Sequence, residues 1–264
     1  MEMLYSLFVF LFGLVIGSFL NCVIYRLALP SFSFWKNLGG SSRSYCPNCK
    51  HQLAWHDLIP VFSYLFLLGH CRYCKKRISV QYPLVELATG LLFLALFNAD
   101  IIRNIYLFTI FSFLIIIFVF DLKHYLIPDK VIFPAIIISF LYNVFSLAVG
   151  NYSLAQFLNF FWAGLLPALF FFLLFFLSKG KWIGFGDVKL AILMGFFLGF
   201  NNVLVALFLA FLFGGIIGIG LIIFGKKTAK SEVPFGPFLV FGTLLALFFG
   251  ENLINWYLNI LVIK

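Results

Sequence analysis

The sequence predicts an all-α polytopic membrane protein with about eight transmembrane helices and a small cytoplasmic zinc-binding domain between helices 1 and 2. Three observations carry that prediction. Of the 264 residues, 64% are hydrophobic and 10% charged, whereas a soluble domain carries about 25% charged residues. The apolar residues fall into eight runs separated by polar breaks. The one sizeable polar segment, 29–81, contains two C-x-x-C pairs. The 39 phenylalanines read as lipid-facing and inter-helix filling. A net charge of +9 raises the question of nucleic acid, but in a membrane protein the position of the charge matters more than its total, and no nucleic-acid partner is expected.

Met3 to Tyr25 contains no charged residue and is long enough for ~30 Å of hydrocarbon. Met1-Glu2 is not a basic n-region and no small-residue cleavage site follows, so residues 1–28 read as a retained first helix with its N-terminus outside. In residues 29–81 Pro, Gly, Ser and Cys appear together with seven basic residues. This is a domain of ~50 residues, near the lower limit for folding without a staple. Residues 82–264 then carry the remaining runs: Tyr82 to Asn98, Asn104 to Phe120, Val131 to Val149, Leu154 to Leu177, Val188 to Phe200, Val203 to Phe224, and Pro234 to about Phe249 or beyond.

Charge sets the orientation. Sixteen of the eighteen Lys and Arg fall in 26–77, 123–130, 179–189 and 226–230, with Arg103 and Lys264 the exceptions. By the positive-inside rule those segments are cytoplasmic, and the turns at Asn98-Ala99-Asp100, Gly150 to Ser153 and Asn201-Asn202 lie outside. A helix from Asp187 to Phe200 covers only ~21 Å, so either the bilayer thins there or the helix begins below the cytoplasmic surface.

Cys46-Pro47-Asn48-Cys49 and Cys71-Arg72-Tyr73-Cys74 supply four thiolates at the spacing of a closed tetrahedral zinc site, which leaves no open position for chemistry. The alternative is two disulfides, disfavoured in a reducing cytoplasm. Zinc would be the staple that lets the small domain fold. Cys22 lies within the first helix and reads as a small hydrophobe. His51, His56 and His70 are left out of the ligand set because four cysteines complete it.

Two aspartates stand directly against apolar runs. Asp187, in Gly184-Phe185-Gly186-Asp187-Val188-Lys189, would cost about 2.5–3.5 kcal/mol as a charge at bilayer depth. The two glycines let the backbone turn tightly and present it from a flexible loop at the head of a helix. Asp121 follows the third helix, at a C-terminus where the macrodipole disfavours an anion. Asp129 is either the N-cap of the fourth helix or a functional residue. If helices three and six pack together, Asp121 and Asp187 meet. Two such carboxylates share a proton, one acting as base on water while the other hydrogen-bonds a scissile carbonyl. Interfacial aspartates neutralised by Lys123 and Lys189, or a proton or ion relay, satisfy the same chemistry.

Gly17-Ser18-Phe19-Leu20-Asn21 with Tyr25-Arg26-Leu27, the two C-x-x-C pairs, Tyr82-Pro83-Leu84-Val85-Glu86, Asp121 with Ile127-Pro128-Asp129, and Gly184 to Lys189 together resemble the bacterial type IV prepilin peptidases. These are GxGD aspartic proteases that act as leader peptidases and N-methyltransferases of pilus and type II secretion systems. The resemblance covers nearly the whole chain. It implies that Asp121 and Asp187 are catalytic, in an active-site region with Gly184, Gly186, Asp129 and Lys189. It also implies that type IV prepilins or pseudopilins are cut at the cytoplasmic side of the inner membrane, between a glycine and a phenylalanine. The new N-terminus would then be methylated from S-adenosylmethionine, an activity associated with members that carry the zinc loop. Glu86, Arg26 and Asn21 are the candidates for methyl transfer, with Glu86 holding the substrate ammonium or pairing with Arg26 to anchor the loop. A peptidase without methyl transfer and an ion-coupled transporter are the rival readings.

Overall fold

The computed structural model describes residues 2–29, 44–224 and 233–262. The basic residues Lys36, Arg43, Lys226, Lys227 and Lys230, and with them part of the expected cytoplasmic charge, lie outside the described residues. The elements are α1 (Glu2–Leu27), a 3-10 turn (Trp55–Leu58), α2 (Phe62–Phe66), α3 (Gln81–Leu96), α4 (Ile101–His124), α5 (Asp129–Ala148), α6 (Leu154–Ser178), α7 (Phe185–Leu198), α8 (Phe200–Ile223) and α9 (Gly236–Val262). All eight long helices fall where the apolar runs place them. Among the described residues six helices are long and apolar enough to cross a membrane: α1, α4, α5, α6, α8 and α9. The other two, α3 with 16 residues and α7 with 14, are shorter than the ~30 Å hydrocarbon core.

The chain divides within α4 into two compact units, Met1–Ile116 and Ile117–Lys264. In the first, α1 lies against α3. The contact is close because α1 offers glycines one turn apart: a Cβ on Gly13 would stand 2.7 Å from the Gly90 Cα, and one on Gly17 would stand 2.6 Å from the Glu86 Cα. Small residues at four-residue spacing let two apolar helices reach backbone contact, where dispersion between them is largest. Thr89 is fully buried at this seam and satisfies its hydroxyl on the Val85 carbonyl. Between α3 and α4 the Asp100 carboxylate accepts the N–H groups of Ile102 and Arg103, so the expected turn at Asn98 to Asp100 is also the start signal of α4.

In the second unit α7 packs against α5, α6, α8 and α9. From Asp187 to Leu198 every residue except Lys189 and Ile192 is buried. A helix apolar all round belongs inside other helices. Its shortness therefore has a cause beyond the two offered by the sequence, since α7 is matched to protein on its flanks. Backbones meet directly here: a Cβ on Gly195 would run into the Ala163 carbonyl of α6, and one on Gly242 of α9 into the Ala206 carbonyl of α8. Asn143 of α5 donates to the Phe196 carbonyl at 2.8 Å.

The helix ends follow local chemistry. Ser153 and Gln156 form a reciprocal capping box at the start of α6, which satisfies two orphan donors. Lys179 and Gly180, with φ of 51° and 76°, end it. The break between α7 and α8 is at Gly199, with φ 75° and ψ 174°, and Asn201-Asn202 lie inside α8 rather than in the turn expected there. Asn159 of α6 explains the shift, because its side-chain oxygen accepts the Phe200 N–H at 2.8 Å and supplies the start signal one residue after the glycine.

Candidate active site and metal centre

The two C-x-x-C pairs fold as copies of one knuckle. In the first, the Cys46 N–H bonds the His51 carbonyl and the Lys50 N–H returns to the Cys46 carbonyl. In the second, Cys71 bonds Lys76 and Lys75 returns to Cys71. Lys50 and Lys75 take the same left-handed φ, 59° and 58°. The ligand atoms of Cys46, Cys49, Cys71 and Cys74 all lie within 4.8 Å of one another, and Cys46 Sγ is 4.0 Å from Cys74 Sγ. A tetrahedral zinc with Zn–S bonds of ~2.3 Å has S···S edges of ~3.8 Å, so the set fits structural zinc. The four thiols are free, and no disulfide joins them. Burial pushes the Cys46 thiol up, but the N–H groups of Cys49 and Asn48 outweigh it and draw it down to about 7, which favours the thiolate that a metal needs.

The histidines are engaged elsewhere. His51 stacks on Tyr73 with ring centroids 3.7 Å apart, and His70 Nδ1 lies 2.7 Å from the Leu68 carbonyl. In the zinc loop the sequence pattern leaves out Asp57. Its carboxylate accepts Arg72 Nε at 2.7 Å, the Tyr73 hydroxyl at 3.1 Å and the Ala54 N–H at 3.2 Å, binding the second knuckle to the 3-10 turn. The signal was present, since Asp57 is the one acid among the seven basic residues of 29–81.

Asp187 stands in the first turn of α7 rather than in a flexible loop. Its carboxylate accepts the Gly184 N–H at 3.2 Å, and the positive end of the helix dipole stabilises it further. Neither glycine of Gly184-Phe185-Gly186 uses a left-handed backbone, and Gly184 is extended at φ −76°, ψ 150°. What Gly186 provides is room: a Cβ there would lie 3.0 Å from Ile127 Cβ. The same Ile127 also faces Gly236, where a Cβ would meet its Cδ1 at 3.4 Å.

Asp121 lies in the last turn of α4 and is buried. Its position at a helix C-terminus is compensated from another element, because its carboxylate accepts the N–H of Gly236, the first residue of α9. Nothing in the sequence ties these two residues, although Pro234-Phe235-Gly236-Pro237 at the head of an apolar run has the form of a special turn. The two aspartates lie near enough for the charge of Asp121 to act on Asp187. Both are nearly dry, at 5% and 8% exposure, so each fixed N–H counts for more than it would in water.

Asp129 is the first helical residue of α5, with Pro128 at the cap, so the N-cap reading is replaced by a first-turn position. Its carboxylate meets the ammonium of Lys189, which also lies 5.0 Å from the rings of Phe133 and Phe185. Lys189 is thus directed to Asp129. In the first unit, Asn21 is buried and donates to the Tyr82 carbonyl at 3.0 Å while accepting from Gln81 at 3.2 Å. Glu86 is buried and accepts the Val61 N–H at 2.7 Å and the Ser18 hydroxyl. Arg26 ends α1 in its last turn.

Two family descriptions match the chain: the bacterial peptidase A24 N-terminal domain over residues 11–99 and the type IV leader peptidase family over residues 108–219. Among curated proteins, a prepilin leader peptidase/N-methyltransferase of Aeromonas hydrophila is 34% identical over 97% of this chain and 94% of its own length. Proteins of the same name from Legionella pneumophila and Bacillus subtilis (strain 168) are 32% and 33% identical, covering 94% and 95% of this chain and 93% and 96% of theirs. No solved structure matches. With the paired aspartates behind Gly184-Phe185-Gly186, the tetrathiol cluster and this similarity along nearly its entire length, the chain belongs to the type IV leader peptidase family.

Proposed function

We propose that the protein is an aspartic endopeptidase of the bacterial inner membrane that removes the leader of type IV prepilins or pseudopilins at a Gly-Phe bond and N-methylates the new N-terminus. The single observation behind this reading is the approach of two buried carboxylates, Asp121 and Asp187, each oriented by a backbone N–H from a helix start. Two such groups hold one proton between them. The ionised member takes a proton from water as the water oxygen attacks the carbonyl carbon of the scissile bond, and the protonated member donates to the carbonyl oxygen. Collapse of the tetrahedral intermediate breaks the C–N bond, and the proton passes to the leaving amine. The pair titrates as a unit, so its roles belong to both residues together.

Gly236 keeps the Asp121 carboxylate turned toward its partner, and Ile127 closes the gap between Gly186 and Gly236. Asp129 and Lys189 fasten α5 to α7 beside the dyad. Cys46, Cys49, Cys71 and Cys74 would hold zinc as the staple of the loop that serves methyl transfer, with Asp57 as its internal brace. S-adenosylmethionine supplies the methyl group when bound. The described residues contain no glycine-rich strand-to-helix turn of the nucleotide-binding kind. The loops rich in Lys and Arg face the cytoplasm.

The test is a mass measurement. Purified protein in liposomes is given a synthetic prepilin peptide with S-adenosylmethionine. Wild type should release the leader and add a methyl mass to the mature N-terminus, while Asp121→Asn and Asp187→Asn should leave the peptide uncut. Cleavage by both variants at the wild-type rate would overturn the dyad. Cleavage without methyl addition by the wild type would remove the second activity.

A further inference from the structure

Pro60-Val61-Phe62 is a three-residue turn of a rare kind. The Phe62 N–H reaches the Pro60 carbonyl at 2.6 Å, and Val61 between them has φ 62° and ψ −51°. A β-branched residue avoids positive φ, so a turn of this hand persists only where its surroundings over-determine it, and such sites cluster at ligand clamps and switches. What holds it is Glu86, whose Oε2 takes the Val61 N–H at 2.7 Å. Glu86 as a residue is 7% exposed, and the Gly17 backbone of α1 presses on its Cα. Among the described residues its partners are two neutral donors, the Val61 N–H and the Ser18 hydroxyl.

A carboxylate taken out of water is satisfied best by a cation that also donates hydrogen bonds. The α1–α3 seam also holds one acceptor without a partner among the described residues, Gln81 Oε1, which is buried and unbonded while its amide nitrogen is committed to Asn21. Asn21 and Ser18 are three residues apart on α1 and share a face. A buried carboxylate met only by neutral donors, with an unused acceptor in the same helix seam, suits a primary or methylated ammonium.

We infer that the Glu86 carboxylate is the binding site for the α-ammonium of a peptide N-terminus, and that the Val61 N–H occupies this site as an internal stand-in which the ammonium displaces. Displacement releases the strained turn, so the 58–63 segment opens when the amine enters. The inference rests on the methyl-transfer reading above, because a free N-terminal amine is the substrate of that reaction.

The experiment uses the full chain in lipid nanodiscs and a mature-type peptide beginning with phenylalanine, compared with its N-acetylated form. Wild type should bind the free amine more tightly by about thirtyfold or more, the scale set by neutralising one partner of a buried charge pair. Glu86→Gln keeps an acceptor for Val61 and Ser18 and should lose the preference while retaining its zinc content and the exchange protection of α1 and α3. In the wild type, the free-amine peptide should speed hydrogen exchange at Val61, and the acetylated peptide should not. Retained amine preference in Glu86→Gln, or exchange at Val61 unchanged by saturating free-amine peptide, would overturn the inference. Methyl transfer is scored separately: a wild type that transfers no methyl group fails the underlying reading, whereas methylation with an undisturbed Val61 fails only this one.

Discussion

The backbone N–H of Gly236 is bonded to the carboxylate of Asp121, so the first residue of α9 supports a buried carboxylate carried by α4, the one proposed to share the catalytic proton. A side chain at position 236 has no room, because its Cβ would stand 2.5 Å from Asp121 Oδ2. Gly236→Ala should push the carboxylate aside by about 1 Å, a misplacement that costs about a hundredfold in rate. Leader cleavage by this variant, measured as kcat/KM with hydrogen-exchange protection of the second unit as the control for folding, should fall by that order while that protection is kept.

Gly186 and Ile127 make a pair that can be tested by compensation. A Cβ at position 186 would lie 3.0 Å from Ile127 Cβ and 3.2 Å from its Cγ1, and overpacking of this kind costs about 1–3 kcal/mol. Gly186→Ala should lower both stability and cleavage, less severely than Gly236→Ala. Adding Ile127→Ala should recover part of the loss. Residues in contact depart from additivity, so a double-mutant cycle with simple additive effects would count against this packing.

The tetrathiol cluster and the aspartate pair belong to different parts of the chain, the thiols at 46–74 and the aspartates at 121 and 187. Cys46→Ser, or prolonged exposure to a zinc chelator, should therefore abolish zinc content and methyl transfer while leader cleavage survives. Hydrogen exchange across 46–77 should rise at the same time, since the tetrathiol site and its fold are one equilibrium. Loss of cleavage in a chain whose second unit keeps its exchange protection would contradict this separation.

Asp57 sets a pH dependence of known sign. Burial alone would raise its carboxyl, but the bonds from Arg72, Tyr73 and the Ala54 N–H outweigh burial and hold it below the ordinary value of 3.8. The unfolded chain then takes up a proton before the folded one does. The stability this group lends is complete above the ordinary value and is lost as pH falls through the depressed one. Asp57→Asn should weaken the zinc loop by about 1.5–3 kcal/mol at neutral pH, the range for hydrogen bonds to a charged group. The difference between variant and wild type should shrink in acid below the ordinary carboxylate range. Taking the difference isolates Asp57, because protonation of the thiolates is common to both proteins.

The helices were legible because apolar runs bounded by charge and turn residues leave few alternatives, and α1, α5 and α6 begin or end within a few residues of the expected positions. Asp121 and Asp187 stood out as charges in apolar surroundings. Gly186 was misread, since a sequence does not distinguish a glycine that supplies a turn from one that supplies space. Gly236 went unnoticed for a different reason: its role is a backbone donor to a residue remote in the chain, and no side-chain chemistry marks it. Asn201-Asn202 looked like a turn by composition, but the side chain of Asn159 on a neighbouring helix decides where α8 starts. The positive φ of Val61 runs against the preference of its side chain and could come only from the fold.

The burial of α7 within its own bundle bears on how the enzyme responds to its host. Lipid acyl chains press on the outer helices, while α7 is held by backbone contact at Gly195 and by the Asn143 bond to Phe196. Hydrophobic mismatch acts on lipid-facing surface, so it is met by tilt of the outer helices before it reaches the helix that carries Asp187. Growth temperature and fatty-acid composition can then change the thickness of the surrounding membrane while the catalytic geometry stays the same.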